Sequence, residues 1–138
     1  MLDTLRADMA AAPVDATDLA TIENAVTAAF GATRMKFRSS TNAEDLAHHT
    51  GAGLYESRAG AVGDPLYPVD VALKTVWASV WNVRAFEERD YAGIDHTQVA
   101  MAILVAPSFP DELANGVAIT ANVYDPAEIG RASCRERV

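Results

Sequence analysis

The chain has 138 residues, 22% charged and half apolar, enough for one domain with a modest core, although 27 alanines leave bulky core formers scarce. A net charge of −8 sets a nucleic-acid backbone aside as partner, and no apolar run approaches the roughly 18 residues of a membrane span. The opening MLDTLRADMA lacks the basic-then-apolar order of a secretory signal, and a single cysteine, unable to form an internal disulfide, fits a reducing, cytoplasmic compartment.

No internal repeat or low-complexity linker interrupts the chain. Residues 1–12 are alanine-rich and predict a helix that Pro13 ends. Asp15 or Thr17 is placed to cap a second helix, with Leu19, Ile22, Val26 and Phe30 at helical spacing and Gly31 as its stop. Residues 34–38, RMKFR, alternate and predict a short strand. Residues 39–57 predict a loop, and residues 59–68 a connector punctuated by Gly and Pro. Residues 69–91 predict the longest helix: Val69, Leu73, Val76, Val80 and Val83 form one stripe, and Trp77 and Trp81 widen it. Arg84 and Glu88 make an i,i+4 pair on the other side, and Gly93 ends the helix. Residues 98–106, QVAMAILVA, form a continuous apolar run before Pro107 and predict a buried strand; residues 116–123 predict another. The sum is a mixed α/β (α+β) chain with three or four strands, too few to close a sheet comfortably.

Residues 38–57, RSSTNAEDLAHHTGAGLYES, carry the chemistry. Arg38, at the end of the predicted strand, offers a fork of donors suited to phosphate oxygens. The Ser-Ser-Thr-Asn run adds hydroxyl and amide donors, and Gly51 and Gly53 let backbone approach a ligand and form an anion nest. Ser57 adds a hydroxyl. The same composition also describes an ordinary structural loop. Glu44 and Asp45 have the chemistry of metal ligands or an acid/base pair, but adjacent carboxylates before Leu46 more simply open a helical turn. His48 and His49 lack a second pair of ligands at metal spacing and read as exposed loop residues; His96, after Asp95, reads as fixing a turn. Trp77 and Trp81 read as core rather than as a base-stacking platform, and Cys134 receives no role.

RSSTNAEDL followed by GAGLYES resembles the nucleotide-binding domain of the phosphoenolpyruvate synthase and pyruvate phosphate dikinase family, to which the domains of glucan water dikinases and rifampin phosphotransferase are similar. The likeness continues through LKTVWASVWNVRAFEERDYAGIDHTQVAMAILV and ANGVAIT-AN, covering about residues 33–126. It implies a partial ATP-grasp-like fold, with ATP clamped between two α/β lobes. It implies that Arg38 contacts ATP phosphates and that Gly53, Leu54, Tyr55, Glu56 and Ser57 form the loop over them. It places the adenine hinge at Val105 and Ala106, where Ala106-Pro107 replaces the Gln that many members carry, so contacts there would rest on backbone atoms. The family's phosphate-gripping lysine and magnesium-binding carboxylate have no counterpart here. Magnesium is therefore expected to find its ligand outside this chain, and no residue here is assigned to catalysis. The implied partners are ATP and the remaining domains of a parent phosphotransferase, including a phosphohistidine domain. The phosphoryl acceptor of that parent is not specified by these residues.

Residues 129–138, IGRASCRERV, hold three of the eleven Lys and Arg residues and the only cysteine. They also translate, codon for codon, a common short-read sequencing adapter. Residues 1–127 are therefore expected to be the ATP-binding part of a longer protein, and residues 128–138 an adapter-derived tail. The rival reading is a non-catalytic small acidic module that binds a nucleotide or a protein.

Overall fold

A computed structural model describes residues 1–43, 45–46, 49–50, 53–109, 114–118 and 132–136. They divide into two units, Met1–Ser108 and Phe109–Val138.

The first unit opens with α1 (Leu2–Ala11), followed by α2 (Ala16–Phe30). Asp15 is the cap of α2: its carboxylate accepts from the N–H groups of Thr17 at 2.8 Å and Asp18 at 3.1 Å. Gly31, with φ 71°, closes the helix in the left-handed region. Val26 is buried and Leu19 and Ile22 pack against the same core, whereas Phe30 remains 38% exposed.

Strand β1 (Met35–Thr41) follows and runs three residues past its predicted end. Ser39, Ser40 and Thr41, poor strand formers by local preference, are paired with Ile103, Ala102 and Met101. The short β2 (Asp45–Leu46) and β3 (His49–Thr50) pair antiparallel, so Asp45 lies in extended backbone and not in a helical turn. Glu44, His48 and Gly51 lie outside the described residues. With β4 (Arg58–Gly60) and β5 (Met101–Pro107), β1 forms an antiparallel sheet of order β4-β1-β5. Successive side chains of a strand point to opposite faces. Met35 and Phe37 accordingly go into the core with no exposed surface, while Lys36, Arg38 and Ser40 are exposed on the other face.

Helix α3 (Val69–Ala78) covers the inner face of the sheet. Its Val69, Ala72, Leu73 and Val76 join Val26, Met35 and Phe37 in one buried cluster. Trp77, Met101, Ile103 and Val105 pack around it, which agrees with a core role for Trp77. Gly60 is fixed by this packing: a Cβ there would lie 2.6 Å from Phe37 Cε2 and 3.2 Å from the Ala72 methyl. Gly60→Ala is expected to lower stability by about 1–3 kcal/mol through overpacking. Urea unfolding of the chain checks this, and an unchanged midpoint would contradict it.

The helix predicted over residues 69–91 is broken. After α3 come a 3₁₀ turn (Ser79–Trp81), Asn82 with ψ 135°, and α4 (Val83–Tyr91). Ser79 Oγ donates to Val76 O at 2.6 Å, a bond back into the helix that favours bending, and extended Asn82 ends the turn. The apolar stripe is thereby interrupted. Val80 is buried but Val83 is 46% exposed, and Ala85 and Arg89 form the buried line of α4. Arg84 and Glu88 share α4 without forming an ion pair; the i,i+4 pair that forms is Asp70–Lys74, at 3.0 Å in α3. An acid N-terminal to its base is the better order for such a pair.

Strand β5 was expected to be buried, yet Ala102 and Leu104 are exposed, Leu104 to 59%. Its apolar run is half core and half open face, because among the described residues of this unit helices cover only one side of the three-stranded sheet. Before it, Asp95 caps a 3₁₀ turn (His96–Gln98) by accepting from Thr97 N–H at 2.8 Å and Thr97 Oγ1 at 2.7 Å. The Thr97 hydroxyl first and its amide second hold this carboxyl below its ordinary value of 3.8.

In the second unit, β6 (Ala114–Ala118) pairs antiparallel with β7 (Ala132–Glu136), with Gly116 opposite Cys134. The strand predicted over residues 116–123 thus begins two positions earlier, and residues 119–123 lie outside the described set. The whole is an α+β chain. Among the described residues no helix is long and apolar enough to cross a membrane.

Candidate functional site

Of the residues that the sequence singled out, the open face of the sheet carries Arg38 and Ala106, whereas Val105 opposes Phe37 and packs on the core side and residues 53–57 form a loop before β4. In an antiparallel pair, residues that oppose each other share a face. Arg38 opposes Leu104 on one side. On the other, the pairing with β4 ends at Phe37 opposite Arg58, and exposed Ser57 is the residue just before that strand. The neighbouring row is Ala59, Lys36 and Ala106. One face therefore holds exposed Arg38 and half-buried Ala106, with about 4.8 Å between adjacent strands. Arg38 sits near the middle of β1 rather than at its end, flanked by Lys36 and Ser40 on that face. Among the described residues no carboxylate pairs with Lys36 or Arg38. Strand β5 is an edge strand, and its outer side, at the level of Val105 and Ala106, has no strand partner among the described residues.

The Ser-Ser-Thr-Asn run supplies fewer free donors than its composition suggests. Asn42 bridges to the segment before β5: its Nδ2 donates to Gln98 O at 2.9 Å and its Oδ1 accepts from Ala100 N–H at 2.9 Å. Thr41 Oγ1 accepts from Ala43 N–H at 3.2 Å. Ser39 faces Ile103 on the core side, which leaves Ser40 as the hydroxyl beside Arg38.

Residues 53–57 form a pinned loop. Gly53 is exposed with φ 78°, the left-handed conformation that an anion nest uses. The next three residues are each held from below. Leu54 is buried, and its carbonyl accepts from Asn82 Nδ2 at 3.1 Å. Tyr55 Oη accepts from Arg89 Nη1 at 3.3 Å. Glu56 Oε1 meets Arg6 Nη2 at 2.9 Å. The side chains of Leu54, Tyr55 and Glu56 are thus engaged with the protein, and the groups left for a ligand are backbone amides and the exposed hydroxyl of Ser57. A carboxylate neutralised by Arg6 also removes a negative charge that would repel an anion at this loop.

Arg6, Asn82 and Arg89 were invisible as site residues from the sequence. Arg6 lies in an alanine-rich helix fifty positions from Glu56. Asn82 and Arg89 sat inside a pattern that read as one unbroken helix. The one available signal is Arg89 four positions after Ala85, a charge on a line that is otherwise apolar. His96 does more than fix a turn: it stacks on Phe86, with ring centroids 3.9 Å apart, and its Nδ1 accepts from Arg89 Nε at 3.4 Å.

A family model described as the pyruvate phosphate dikinase AMP/ATP-binding domain matches residues 9–134. The chain belongs to that family. A phosphoenolpyruvate synthase of Aeropyrum pernix is 39% identical over 72 residues, 52% of this chain and 8% of that protein. A phosphoenolpyruvate synthase of Pyrococcus furiosus and a probable one of Pyrococcus abyssi are each 36% identical over 85 residues, 62% of this chain and 10% of the relative. The chain thus spans a tenth or less of the length of these relatives. Among the described residues no three His, Cys, Asp or Glu side chains gather as a cation site.

Proposed function

We propose that residues 1–127 are the ATP-binding part of a phosphoenolpyruvate synthase-like phosphotransferase of the cytoplasm, with no role for residues 128–138. In this reading the fold is one portion of an ATP-grasp-like clamp. The observation that carries it is Arg38, exposed in the middle of β1 on the open sheet face, next to the strand that the tied-down loop 53–57 leads into. Arg38 grips phosphate oxygens through its fork, Ser57 and the amides after Gly53 complete the cradle, and the backbone of Val105 and Ala106 meets adenine. The parent enzyme passes a phosphoryl group from ATP to a carrier histidine in another domain. Transfer of this kind depends on positioning and on neutralising charge. This chain contributes Arg38 and the loop to that task. The remaining cations, magnesium included, come from elsewhere in the parent.

Isothermal titration of the chain with ATP tests the proposal. The expected result is saturable binding that weakens with salt and is stronger for ATP than for adenosine. No measurable heat up to millimolar ATP would overturn it.

A further inference from the structure

Arg89 has no exposed surface, and among the described residues no carboxylate forms an ion pair with it. Burying a charge without a counter-ion is costly, and an apolar side chain of similar volume would fill the space more cheaply. Such a departure from core chemistry points to a demand other than stability.

The guanidinium reaches three separate segments. Nη2 donates to Val80 O at 2.7 Å, taking up a carbonyl that the break before α4 frees from the helical ladder. Nε donates to His96 Nδ1 at 3.4 Å, in the turn that follows α4. Nη1 donates to Tyr55 Oη at 3.3 Å, in the glycine-led loop. Asn82, whose extended conformation makes the break, holds Leu54 O. The break and the loop are thus one structural unit with Arg89 at its centre.

We propose that Arg89 is a positioning residue for the polyphosphate of the nucleotide; the ligand half of this inference rests on the ATP reading above. Through Tyr55 it fixes the loop so that the amides after Gly53 are presented together. Its charge, balanced by no carboxylate among the described residues, adds positive potential beneath an anion. That charge acts through a poorly screened interior, so it favours ATP over ligands without phosphate.

The test uses the full chain and three variants. Tyr55→Phe removes only the acceptor for Nη1, Arg89→Lys keeps the charge without the fork, and Arg89→Met removes both. Two quantities are measured: amide hydrogen exchange at residues 54–57, and Kd for ATP and for adenosine. Exchange at residues 54–57 is expected to rise about tenfold in Tyr55→Phe while the amides of β1 and β5 keep their protection. ATP affinity is expected to fall about tenfold or more in Arg89→Met, with Arg89→Lys recovering part of the loss and adenosine affinity unchanged. Unaltered exchange in Tyr55→Phe overturns the tether, whatever the chain binds. Equal weakening of ATP and adenosine in Arg89→Met overturns the positioning role and leaves Arg89 a purely structural residue. Faster exchange in Tyr55→Phe with no ATP binding by the unsubstituted chain overturns the nucleotide reading and leaves the tether in place.

Discussion

Phe37→Ala should lower the unfolding free energy by about 3–5 kcal/mol, the range for removing a large aromatic side chain from a packed interior. Phe37 has no exposed surface and fills the space that Gly60 leaves open. Neither the edge of β4 nor the Ala72 methyl can move in to replace a ring, because both belong to elements held by their own hydrogen bonds. The resulting cavity would stay open, which places the effect toward the upper part of that range. Urea unfolding followed by Trp77 and Trp81 fluorescence measures it. A change below about 1 kcal/mol, the scale of an ordinary surface or conservative substitution, would mean that the core is not centred on this ring.

Arg38→Ala, one residue later, should do the reverse. ATP binding should weaken by about 1.5–3 kcal/mol, roughly ten- to a hundredfold, the worth of a charged hydrogen bond to phosphate. Stability should change by no more than about 0.5 kcal/mol, because the side chain is exposed on the open face. The two measurements together separate the faces of β1. Unchanged ATP affinity would remove Arg38 from the site. A stability loss as large as that of Phe37→Ala would contradict the assignment of faces that the register gives.

The elements legible in the sequence were those whose causes are local. The cap Asp15, the apolar spacing of Leu19, Ile22 and Val26, and the stop at Gly31 lie within seventeen residues of one another and define α2 without outside help. The break at Asn82 was not legible, because the apolar stripe from Val69 to Val83 runs on through it. Its causes include Leu54 and Arg89, residues distant in sequence or hidden in the wrong helical phase. The extension of β1 through Ser39–Thr41 has the same origin, since its partner lies sixty residues and more downstream. For the site, residue chemistry alone favours an ordinary loop over a phosphate loop. The family likeness selected Arg38 and residues 53–57, and the strand register then put Arg38 on the open face. The anchoring of Leu54, Tyr55 and Glu56 by Asn82, Arg89 and Arg6 could not be read from either, because side-chain direction in a loop is set by tertiary partners.

The central place of β1 also governs the order in which this chain acquires its shape. Its partner β4 follows within the next two dozen residues, whereas pairing of Met35 with Pro107 closes a loop that contains α3 and α4. Closing the longer loop costs more chain entropy, and topologies rich in distant pairings fold slowly. During synthesis the pairing of β1 with β5 cannot be completed until residue 107 has emerged. A nascent chain stalled before that point has an unpaired strand edge beside Phe37, which makes it the species most prone to associate with its own copies.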